Sequence, residues 1–138
     1  MPIQFCLPLV ITSSLFFIPA LIARRKRRRG LSNEIAALAT TSILYHASSH
    51  PTIHLVDKCW AHLFGVRYGI ISFLQLSTGV NERIGLGHKL FLLATTIGSY
   101  WIYMARSVRA PPPQAKYWHM GLHLLVNTGL IDYTLHLE

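Results

Sequence analysis

The sequence predicts an all-α, multi-pass transmembrane helical bundle of about five helices, and three observations predict it. Hydrophobic residues make up 51% of the 138 and charged residues only 13%, a balance on the membrane side of ordinary soluble composition. Apolar blocks recur at about residues 3–23, 34–50, 57–78, 86–104 and 117–137, each near or above the roughly 17–25 residues that a crossing helix needs. Six of the thirteen basic residues stand together as Arg24, Arg25, Lys26, Arg27, Arg28 and Arg29, directly after the first block. A cluster in that place sets topology and meets anionic lipid headgroups. It also supplies much of the +8 net charge without calling for nucleic acid. The five blocks use nearly the whole chain, so a single transmembrane domain over residues 1–138 is expected.

The elements follow in order once the basic loop is put on the cytoplasmic side. The first block has its charges after the apolar stretch rather than before it, which reads as an uncleaved first helix with its N-terminus outside. The second helix returns outward and ends near Ser49 or His50, because the residue before Pro51 avoids the α region. The third runs inward from about Asp57, the loop TGVNERIG turns at the inner face, and the fourth runs out. Pro111, Pro112 and Pro113 then predict an extended outer loop. The fifth helix, opening YWHMGLHLL, ends with the C-terminus inside. Inner loops and flanks carry eight Lys and Arg against four outside, the direction expected for this orientation. Cys6 and Cys59 are too few for a disulfide framework. Trp60, Trp101, Tyr103, Tyr117 and Trp118 fall near outer helix ends, as an interfacial aromatic belt does.

This threading brings three separated segments with ionisable groups to the outer face. The second helix ends in the stretch SILYHASSHPTIHLVD, which holds Ser42, His46, His50, His54 and Asp57. His119 and His123 open the fifth helix, four apart and so on one face. Two imidazoles so placed can share a metal ion, and a third from His46 makes a three-histidine set that leaves zinc one position for water. Such a water ionises near neutral pH. Asp57 can accept its proton or orient a ligand histidine, and Ser42, one turn before His46, can bond the water or a substrate oxyanion.

Plainer roles exist for each residue. Ser42 can bond back to its own helix, and Asp57 can cap one. His50 and His54 lie at the break and in the turn, where solvated interfacial histidines sit. His62, His88 and His136 are assigned to packing or the interface. Arg67 and Asp132 reach similar depths in the third and fifth helices and are expected to pair, the alternative being a cavity where Arg67 binds a headgroup or carboxylate.

The pattern Ser42-x-x-x-His46, then Asp57, then His119-x-x-x-His123 resembles the CREST superfamily of membrane hydrolases. That group comprises alkaline ceramidases, progestin and adipoQ receptors and hemolysin III proteins, and the spacing is closest to alkaline ceramidase. The resemblance implies an intramembrane zinc (Zn2+) held by His46, His119 and His123, with Ser42 and Asp57 as catalytic partners. It further implies hydrolysis of a lipid amide, ceramide-like, drawn from the bilayer. The family has seven helices where five are counted here, and Lys58 follows Asp57 where the family often has an acid. Two fewer helices point to a homodimer. A multi-pass protein of an endomembrane (endoplasmic reticulum or Golgi) or of the plasma membrane is expected. The competing expectation is a non-enzymatic, receptor-like or hemolysin-III-like protein with a structural zinc; a third is a small channel lined by Arg67 and Asp132.

Overall fold

The computed structural model describes residues 6–48, 50–78 and 85–136, and among these every regular element is helical. The inner loop expected before Gly85 and the final Glu138 fall largely outside the described residues. The chain divides into two compact units, Met1–Phe64 and Gly65–Glu138.

The first unit holds α1 (Leu7–Ser14), α2 (Phe17–Arg25), α3 (Arg29–Ala47) and residues 51–64 of α4 (Pro51–Thr78). The first apolar block is thus two helices rather than one. Pro19 cannot donate to the Leu15 carbonyl and its ring crowds it. The chain responds with three-residue turns, Phe16 N–H to Ser13 C=O at 3.2 Å and Ile18 N–H to Leu15 C=O at 3.0 Å. The basic run closes α2. Arg27 N–H donates to Arg24 C=O at 3.0 Å and Arg28 N–H to Ala23 C=O at 2.9 Å. This is the paired bonding of a Schellman end, with Arg27 at φ 61° in the place glycine usually takes. Both α1 and α2 pack on α3, burying Leu9, Phe16, Ala20, Ile35, Leu38 and Ala39. Their small residues let the backbones approach closely.

α3 ends at Ala47, with Ser48 extended at φ −125° and ψ 151°. The next helix then starts at Pro51 rather than at Asp57, since proline is well suited to a first helical position. Two expectations change. His54 lies within α4 and not in a turn, its Nε2 2.8 Å from the Ser48 carbonyl oxygen. Asp57 stands inside α4, so its capping role falls away.

The second unit holds residues 65–78 of α4, then α5 (Leu86–Trp101), a π-helical turn (Ile102–Ser107) and α6 (Pro112–His136). The expected extended proline loop is instead the start of α6. Prolines belong in a first turn, where an N–H has no partner to lose, and Gln114 N–H reaches the Pro111 carbonyl at 2.9 Å. His119 and His123 therefore sit about two and three turns into the helix. α5 packs along α6 and comes close to it at Gly129, where an added Cβ would lie 2.5 Å from Thr95 Oγ1 and 3.0 Å from its Cβ. Thr95, Ser99 and Thr134 are buried because each hydroxyl bonds a carbonyl of its own helix. Arg106 lies over the rings of both Trp101 and Trp118, at 5.5 and 5.2 Å, which ties the π-helical turn to α6 by cation–π attraction.

Among the described residues one helical stretch, Leu7–Arg25, is both long and apolar enough to cross a membrane, with mean hydropathy 1.8 over its best window. A buried core helix or an N-terminal signal segment meets the same test. α3, α4 and α6 have the length for a crossing (19, 28 and 25 residues) but not the apolarity.

Candidate metal and catalytic residues

Three of the five residues singled out in the sequence belong to the first unit. Ser42 and His46 share a face of α3 one turn apart and are 5% and 4% exposed. Tyr45 packs edge-on to His46, ring centroids 4.7 Å apart, and also against His54 at 4.4 Å, so the imidazole is held among aromatic surfaces at the end of the helix. The end of α3 is itself anchored, since Cys6 N–H donates to the His46 carbonyl at 3.2 Å. Asp57, 9% exposed, comes from the second turn of α4. Its carboxyl lies beside the Thr41 hydroxyl, which donates to the Leu38 carbonyl at 3.2 Å, while its Oδ1 is buried with no hydrogen-bond partner.

Ser42 has an unforeseen neighbour. Its Oγ lies 3.1 Å from Oγ of Ser13, which is fully buried. Ser13 donates its own proton to the Leu9 carbonyl at 2.8 Å. A hydroxyl has one proton, so Ser42 is the donor to Ser13 and keeps its lone pairs for other partners. This bond is not legible from sequence, because it joins residues of two helices, α1 and α3.

The other two residues, His119 and His123, lie in the second unit on one face of α6. Their rings meet edge to face, with centroids 4.7 Å apart, and His123 is 6% exposed. Asn127 continues the stripe a turn later, buried to 6% with its Oδ1 lacking a hydrogen-bond partner. Reading the stripe one step past His123 would have found it. The first unit thus gathers a serine, a histidine and an aspartate, and the second a histidine pair with a polar neighbour.

His88 and His136, also in the second unit, stack on one another with ring centroids 3.5 Å apart, and both also face the Asp132 carboxylate, at 3.1 and 3.5 Å. Comparison with known proteins adds no assignment: no family model, no curated protein and no solved structure matches this chain.

Proposed function

We propose that the chain is a multi-pass membrane protein of an endomembrane or the plasma membrane, acting as a zinc hydrolase on a lipid amide of ceramide-like class. The observation that carries this reading is the Asp57 carboxylate, buried with an unbonded oxygen against the turn of α3 that bears Ser42. Buried charged oxygens are rarely left unbonded unless a site uses them. The exposed apolar side chains support the bilayer. Along α4, Leu55, Val56, Leu63, Val66, Ile70 and Phe73 are 51–66% exposed, far more apolar surface than one soluble helix carries into water.

His46, His119 and His123 would hold the zinc, and the donor set fits, since three imidazoles are a common catalytic zinc set. Bound zinc would supply Lewis acidity, polarising the amide carbonyl and acidifying a water. Asp57 Oδ1 takes the proton from the attacking water and delivers it to the nitrogen of the departing amine. The water oxygen bonds the carbonyl carbon as the C–N bond breaks, leaving a fatty acid and an amine, and the acid's proton then passes to the amine to give carboxylate and ammonium. Ser42 enters as an acceptor that orients the water, because its proton rests on Ser13 Oγ. Substrate enters laterally from the bilayer, and a second copy of the chain supplies the wall that two further helices give in the resembled family.

The test is zinc content of purified protein together with release of fatty acid from a panel of ceramides and other lipid amides. Bound zinc with turnover is the expected result, and a zinc content unchanged from wild type in both His46→Ala and His123→Ala would overturn the site. The Ser13–Ser42 bond favours one other reading, a receptor-like or hemolysin-III-like protein with a structural zinc, since it withholds the serine proton from an oxyanion. Bound zinc with no turnover across the panel selects it.

A further inference from the structure

The end of the second unit remote from His119 and His123 holds another set of ligand-type side chains. His88 lies in the first turn of α5, and Asp132 and His136 are one turn apart near the end of α6. His88 Nδ1 stands 3.1 and 3.2 Å from the two carboxylate oxygens of Asp132. His136 Nδ1 is 3.5 Å from Asp132 Oδ1. One ligand atom from each of the three residues lies within 4.8 Å of the other two.

We propose that His88, Asp132 and His136 form a second site, for a divalent transition metal ion, that clamps the start of α5 to the end of α6. Two imidazoles and a carboxylate are a ligand set for zinc and its divalent neighbours, too rich in nitrogen for magnesium or calcium. Around a tetrahedral ion with bonds of roughly 2.0–2.1 Å, ligand atoms stand about 3.4 Å apart, close to the 3.1 and 3.2 Å between His88 Nδ1 and the Asp132 carboxylate oxygens. His136 is also oriented as metal-bound histidines are. Its Nδ1 faces the Asp132 backbone carbonyl at 2.8 Å, so Nδ1 carries the proton and Nε2 keeps its lone pair.

The side chains of His88, Asp132 and His136 are 41%, 22% and 40% exposed, which gives an ion a path in. The rings of His88 and His136 stack with centroids 3.5 Å apart, which holds the two imidazoles side by side next to the Asp132 carboxylate. Three protein ligands leave a position for water. The site is separate from the histidine pair, because Asp132 lies about 13 Å farther along α6 than His123. It stands whether or not the zinc-hydrolase reading does.

The experiment uses cobalt(II) as the probe, titrated into the full-length His119→Ala/His123→Ala protein in detergent, with helicity followed by circular dichroism. One equivalent should bind with visible d–d absorption, and adding His88→Gln or His136→Gln should weaken it at least tenfold with helicity retained. Absence of that equivalent, or an unchanged Kd in the His88→Gln and His136→Gln variants, overturns the site. The same measurement on the otherwise wild-type chain needs no double variant: His88→Gln alone should remove one equivalent of metal, and unchanged stoichiometry there also overturns it.

Discussion

At the scale of single residues, the informative positions are those where local chemistry is left incomplete. Asp57 buries a carboxylate oxygen without a bond, an arrangement that stability alone does not favour. Replacing it by asparagine keeps the shape and the contact with Thr41 while removing the charge. Asp57→Asn is therefore expected to stabilise the protein by about 1 kcal/mol and to cut hydrolysis roughly 10²–10⁴-fold. Thermal melting in detergent beside an activity assay checks both, and a destabilised variant would make Asp57 a structural residue. Ser42→Ala removes the proton that bonds Ser13 Oγ, so about 1 kcal/mol of stability should go with zinc content unchanged. A loss of zinc in that variant would put Ser42 closer to the ion than its bond to Ser13 allows.

At the scale of elements, close packing and helix ends decide the outcome. Gly129 lets α6 approach Thr95 of α5 so closely that a methyl group has no room. Gly129→Ala should cost about 1–3 kcal/mol, with partial rescue by Thr95→Ala, which removes the nearest atom; full tolerance of the first change would deny the contact. At the end of α2, Arg27 holds a left-handed conformation that disfavours a side chain by about 1–2 kcal/mol. Part of that would be offset by the freedom glycine gains in the unfolded chain. Arg27→Gly should still melt no lower than wild type. The elements also show what the sequence makes legible. Helices fill the five apolar blocks, because hydrophobic patterning is read directly. The prolines are harder to read: Pro51 stands beyond the end of α3 as expected but also opens α4, Pro112 opens α6 where an extended loop is expected, and Pro19 lies just past the break between α1 and α2. Proline has opposite meanings at a first turn and in an interior, and sequence alone does not say which turn is first. The i,i+4 histidine pair on α6 was legible because a helix fixes it locally. The Ser13–Ser42 bond and the His88–Asp132 contact were not, because each joins residues of different helices.

At the scale of the molecule, the proposed zinc draws its three ligands from helices far apart in the sequence, α3 and α6. On the proposed zinc reading, His46, His119 and His123 are three ligands of one ion. Two histidines on one helix face retain some affinity for zinc, but a zinc site of this type needs three protein ligands before it holds the ion against dilution. Removal of His46 alone should thus empty the site nearly as completely as removal of His123, although His46 contributes one ligand of three. The same logic makes the metal a source of stability, because an ion bound only by the folded chain raises stability as its free concentration exceeds Kd, by about 2.7 kcal/mol at a hundredfold excess. Chelation of the purified protein should then lower its melting temperature, and re-addition of zinc should restore it in the wild type but not in His46→Ala. A chelator-induced shift of equal size in His46→Ala and the wild type would show that the stabilising ion sits elsewhere. The cluster of His88, Asp132 and His136 would be the place to look, and His88→Gln would identify it by abolishing the shift.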